Sequence, residues 1–118
     1  VKWKMVVGHH PMYSAGGRTD SYDTRAIRRS LEPMFEKNGV DVYLAGHEHS
    51  LQHLEPGRHT HHFISGAASE ATPVHPLDIA RLAASDYGFM LFTVTQTAVA
   101  VQVINFEGKV IYSTTIKK

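Results

Sequence analysis

Two short strings hold the side chains in this sequence best placed to do chemistry: Val6-Val7-Gly8-His9-His10-Pro11 and Leu44-Ala45-Gly46-His47-Glu48-His49. Each runs from apolar residues through a glycine into histidine. An apolar run of that length reads as a buried strand, and the turn beyond it is exposed. Groups held at such a turn keep a fixed position and still meet a ligand. Neutral imidazole is a common protein ligand for zinc, iron and similar metals. His47 and His49 lie two residues apart, so in an extended chain they face one side while Glu48 faces elsewhere. In the first string His9 is nearest the strand end, and its neighbour His10 points apart toward a pocket wall or rim. His9, His47 and His49 are therefore expected to form one shared metal site.

The strands must be brought together by what lies between them. Trp3–Val7 reads as a strand stopped by Gly8 and Pro11. Residues 12–19 form a loop around Gly16-Gly17, in which Arg18 could meet an anionic ligand through its guanidinium fork. Asp20, Ser21 and Asp23 are candidate N-caps for a helix whose apolar stripe is Ile27, Leu31, Met34 and Phe35. Pro33 is expected to kink that helix or restart it. Asn38-Gly39 stops it, and Val40–Ala45 is the next strand. A strand, helix, strand order implies a parallel pair with a crossover helix. In open α/β sheets, ligands bind at the carboxyl ends of the strands, which is where both histidine strings fall.

The second half changes character. Leu51–Leu54 and His62–Ser65 are short strand candidates. Residues 70–86 read as an irregular loop with a short helix near Leu77–Ala84. Phe89–Thr95, Val99–Phe106 and Val110–Ile116 are rich in β-branched and aromatic residues, and Glu107-Gly108 closes a hairpin between the last two. The expected whole is one α/β domain over residues 1–118, a mixed β-sheet with a helix on one face. The remaining histidines carry blander expectations. His59, His61 and His62 sit at a solvated turn entering a strand, His53 is a half-buried filler, and His75 lies near prolines without a visible partner.

Composition narrows the class. A formal net charge of +1 over 118 residues lacks the basic excess of a nucleic-acid or anionic-membrane binder. No apolar stretch approaches the ~20 residues that span a membrane. The sequence has no cysteine, so disulfides and thiolate metal sites are excluded, while compartment is left open.

Carboxylates are the missing part. Three histidines can hold one zinc, but hydrolytic two-metal sites use carboxylates to bridge and neutralise the ions. Asp20, Asp23, Asp41, Asp78 and Asp86 all lie outside a Gly-Asp context at a strand end. The site is therefore expected to be incomplete, with further ligands outside these 118 residues. No residue of the chain is assigned as a catalytic acid or base.

These residues resemble a known family. Gly8-His9-His10-Pro11 and Gly46-His47-Glu48-His49 look like the last two motifs of calcineurin-like metallophosphoesterases. The stretch Val42–Leu54, together with Ile64-Ser65-Gly66-Ala67 and Tyr87-Gly88-Phe89, is similar to the C-terminal half of small, tartrate-resistant purple acid phosphatases. The resemblance implies a four-layer αββα sandwich of which this chain supplies about one half. It implies hydrolysis of phosphate esters at a dinuclear centre of iron plus zinc, manganese or iron, with at most one ion weakly held by this chain alone. His9 and His47 would bind one metal and His49 the other. His10 and Arg18 would lie near the phosphate, and Gly16-Gly17-Arg18 stands where that branch often has a further histidine. A secreted or periplasmic home is suggested by the resemblance alone. Alternatives are a phosphodiesterase or protein phosphatase of the same superfamily, or a non-catalytic metal-binding scaffold. The expected partners are the N-terminal half of such an enzyme and a second copy of the chain. Val99, Val101 and Val103 on one face of their strand, and Ala98, Ala100, Ile104 and Phe106 on the other, call for cover on both sides.

Overall fold

The computed structural model describes residues 2–118. Strand β1 (Met5–Val7) runs parallel to β2 (Val42–Ala45), and helix α1 (Tyr22–Asn38) makes the crossover. The helix starts where the sequence offers a cap: the Ser21 hydroxyl accepts from the Thr24 N–H at 3.4 Å. It stops at Gly39, whose left-handed φ of 61° lets its N–H reach the carbonyls of Phe35 and Glu36. Pro33 sits inside this helix without dividing it. The expected restart is absent: Leu31 and Phe35, on either side of the proline, both pack into one cluster with Met12, Val40, Tyr43 and Ala45. Met34 falls off that stripe and is exposed.

After β2 the chain forms an antiparallel pair, β3 (Leu51–Leu54) and β4 (His61–Ser65), with β4 inserted parallel to β2. Next comes β5 (Ala80–Ala84), antiparallel to β3, so the first sheet has the order β1-β2-β4-β3-β5. The short helix expected near Leu77–Ala84 is a turn leading into this strand instead. Local composition there favours helix, but the open edge of β3 offers ladder hydrogen bonds, and tertiary pairing overrides propensity.

The last three strands, β6 (Gly88–Val94), β7 (Ala98–Asn105) and β8 (Val110–Lys117), form a separate antiparallel sheet. The single mixed sheet of the sequence reading is thus two sheets packed face to face. Val42 and Phe63 of the first sheet meet Val99, Val101 and Ile116 of the second, with Trp3, Leu44, Met90 and Phe92 around them. Val103 packs with Leu51 and Ala67 at one end of the same interface. Period-two alternation could show that β7 buries Val99, Val101 and Val103. It could not show that the cover comes from the chain's own β2 and β4. The layers are therefore helix, five-stranded sheet, three-stranded sheet. The outer face of the second sheet carries Phe89, Leu91, Val110 and, just past β7, Phe106, all exposed.

Candidate metal centre

Both histidine strings lie at the carboxyl ends of adjacent parallel strands. The Gly46 N–H donates to the His9 carbonyl at 3.0 Å, so the two turns are stitched together. Gly8 is required by close packing: a methyl group there would collide with the Tyr43 hydroxyl, which donates to the His10 carbonyl at 2.6 Å. The strand ends thus fix the backbones that carry the imidazoles.

His9 Nε2 and His47 Nδ1 stand 3.0 Å apart. The His10 ring joins them, its centroid 4.9 Å from His9 and 4.3 Å from His47. All three offer a ligand atom to one point. His47 has φ 64°, a left-handed conformation that histidine adopts rarely. Such outliers persist where the surroundings demand them and cluster at functional sites. Among the described residues its Nε2 is buried with no hydrogen-bond partner. Burial, then the neighbouring charges of Arg18, His10 and His9, hold the His47 pKa below the usual histidine value. A neutral imidazole is the form that binds a metal.

His49 lies elsewhere. Its Nδ1 is 2.8 Å from Glu70 Oε2, at a half-exposed position outside the His9–His10–His47 group. Arg18 reaches the site through Glu48, the residue between the two histidines. Glu48 is buried, accepts from the Ser14 hydroxyl at 2.6 Å and the Arg18 N–H at 2.9 Å, and has Arg18 Nε at 4.0 Å. Glu48 therefore anchors the loop of residues 14–18 against the second histidine string. Sequence reasoning placed Glu48 on the far side of the chain from the histidines but gave it no task. Its partner Ser14 carries no local signal, so the link is visible only in three dimensions. His75 has a partner as well: its Nε2 is 2.9 Å from the Thr19 hydroxyl, at the same loop.

A cleft of about 410 Å3 opens beside the histidines, lined by Val7, Gly8, His9 and Gly46 on the first sheet and by Met90 and Phe92 on the second. It sits where the two sheets part.

Residues 1–51 match a family described as calcineurin-like phosphoesterase. Over these residues the chain is similar to the calcineurin-like phosphoesterases. Over 98% of its length it is 31% identical to purple acid phosphatase 7 of Arabidopsis thaliana, and it spans 36% of that protein. It covers about a fifth of the length of other curated relatives. A purple acid phosphatase from yellow lupin superposes on 98% of the chain with a TM-score of 0.85 at 20% identity, the chain covering 25% of it. GAP50, described as the anchor in the inner membrane complex of Plasmodium, superposes on 99% with a TM-score of 0.89 at 22% identity, the chain covering 37% of it. The two-sheet arrangement with its flanking helix is therefore the metallophosphoesterase fold over this stretch.

Proposed function

We propose that this chain is the histidine-bearing part of a metal-dependent phosphate-ester hydrolase of the acid phosphatase kind, within a longer polypeptide that supplies the carboxylate ligands. The observation that supports it is the 3.0 Å approach of His9 Nε2 to His47 Nδ1, beside the unpartnered Nε2 of a left-handed His47. The donor set fits borderline transition metals, since neutral imidazole prefers zinc and iron to magnesium or calcium. His9 and His47 would hold one ion and His49 a second, after His49 parts from Glu70. When bound, such ions polarise a phosphoryl oxygen and make water more acidic.

The chain's own residues do the rest. Gly8 and Tyr43 fix the first turn, so the imidazole of His9 would be preorganised to hold an ion. Glu48 tethers the Arg18 backbone, leaving the guanidinium, about half exposed, on the rim where a phosphate dianion would enter. His10, beside His9 and His47 and 3.7 Å from Asp23, would donate to a phosphate oxygen. Met90 and Phe92 form an apolar wall on one side of the cleft.

The test is the longer polypeptide. Upstream coding sequence should contain Gly-Asp-x-x-Asp and Gly-Asn-His motifs, and its product should hydrolyse p-nitrophenyl phosphate with zinc, iron or manganese. His47→Ala should lower kcat at least a hundredfold. The 118 residues alone should turn over at less than a tenth of that rate. Absence of those motifs and of activity would favour a metal-binding scaffold instead.

A further inference from the structure

A second histidine cluster lies at the other end of the first sheet. His61 pairs with Val42 at the start of β2, whereas His47 follows Ala45 at its end. His53, buried to 1% exposure, stacks on Phe63 with ring centroids 4.2 Å apart and points its Nε2 at His61 Nδ1, 3.1 Å away. Glu55 Oε1 completes a triangle, 3.2 Å from His61 Nδ1 and 3.7 Å from His53 Nε2. A tetrahedral zinc with bonds near 2.0–2.1 Å separates its ligand atoms by about 3.3–3.4 Å. The three observed edges bracket that value.

The tautomers allow a cation as well. With the His53 proton on Nδ1, facing the Tyr112 hydroxyl, and the His61 proton on Nε2, His53 Nε2, His61 Nδ1 and Glu55 Oε1 all offer an electron pair to the shared centre. A divalent ion satisfies all three at once. The outward atoms are already held as they are in built metal sites. Tyr112 Oη of β8 is 2.8 Å from His53 Nδ1, and Arg81 Nε is 2.8 Å from Glu55 Oε2.

We propose that His53, Glu55 and His61 form a second metal site, separate from the histidines at the strand ends, that takes zinc or another nitrogen-preferring divalent transition metal. Two imidazoles and a carboxylate select against magnesium and calcium, which take oxygen ligands. His61 and Glu55 are partly exposed, which gives the ion an entry path and leaves a fourth position for water. Because Tyr112 orients His53, the ion ties β3 and β4 to β8 and so clamps the two sheets.

The experiment removes the first site and asks what remains. In the His9→Ala/His47→Ala/His49→Ala variant, zinc titration should show one equivalent bound, and cobalt should give the visible absorption of a tetrahedral site. Adding His61→Ala or Glu55→Gln should weaken that binding at least tenfold, and Tyr112→Phe should weaken it severalfold. In the unsubstituted chain, zinc should shift the ring NMR signals of His53 and His61. A triple variant that binds no zinc, a His61→Ala variant that binds as well as its parent, or unshifted His53 and His61 signals would overturn the site. None of these readouts depends on phosphatase activity.

Discussion

His62 offers the sharpest test of the packing. It sits in β4 between Tyr13 and Tyr43, 3% exposed, with ring centroids 5.1 and 6.0 Å away. Among the described residues its Nδ1 is buried with no hydrogen-bond partner. Burial pushes its pKa down to about 4, and the same cause brings His53 to about 4. A histidine whose folded pKa is depressed leaves the folded state at full stability above the ordinary value near 6.5. That stability is lost as pH falls through 6.5 toward 4, because only the unfolded chain takes up the proton. Integrating from pH 7.5 to pH 5 gives about 2 kcal/mol for each ring and about 4 kcal/mol for the pair, at 1.36 kcal/mol per pKa unit. That is a large share of the roughly 5–15 kcal/mol that holds a domain together. His47 and His61 are also held low and push the same way. The lowered carboxyls of Asp41 and Glu55 act only below their own ordinary values of 3.8 and 4.5. The assay is urea unfolding at pH 7.5 and pH 5, with a chelator present, for the unsubstituted chain and for His62→Leu. Leucine has similar volume, no orphaned nitrogen and no proton to gain. His62→Leu should be as stable as its parent or up to about 2 kcal/mol more stable at pH 7.5, as expected when a buried unpaired polar atom is removed. Its loss between the two pH values should be smaller by about 2 kcal/mol. Equal losses in the two proteins would refute the reasoning.

Other expectations follow from the same structure. Gly8→Ala should lower stability by about 1–3 kcal/mol through the clash with the Tyr43 hydroxyl, read as a drop in Tm. Gly39→Ala, at φ 61°, should lose about 1 kcal/mol by forcing a Cβ into the left-handed region, checked by the same melt. Glu70→Gln should free His49 and raise zinc affinity at the strand-end site severalfold by calorimetry; unchanged affinity would mean that His49 does not serve that site. The exposed outer face of the second sheet should drive self-association at micromolar concentration. Phe89→Lys should reduce it in light scattering, and a clean monomer before substitution would show that this face needs no cover.

Much of the site was legible because its signals are local. Gly8-His9 and Gly46-His47 announce strand ends, and Ser21 and Gly39 announce the helix between them. What escaped depends on distant partners. β5 is a strand because β3 has an edge to pair, which its alanine-rich sequence does not reveal. The division into two sheets hides in β7, where alternating valines look alike whichever layer covers them. His53 reads as filler until Glu55, His61 and Tyr112 converge on it from three directions. The position of His49 turns on Glu70, twenty-one residues away and without any motif to link them.

The order of the layers along the chain also governs how this protein must be made. The face of the first sheet that carries Val42 and Phe63 is complete once β5 has formed, yet its cover is β6, β7 and β8, which leave the ribosome after it. Ile116 and the Lys118 ammonium, which lies over the Trp3 ring at 4.6 Å, close that cover from its far end. During synthesis the nascent chain therefore holds an uncovered apolar sheet until β8 emerges, a state prone to wrong association. Stalled or truncated products lacking β8 should be recovered with chaperones or in aggregates.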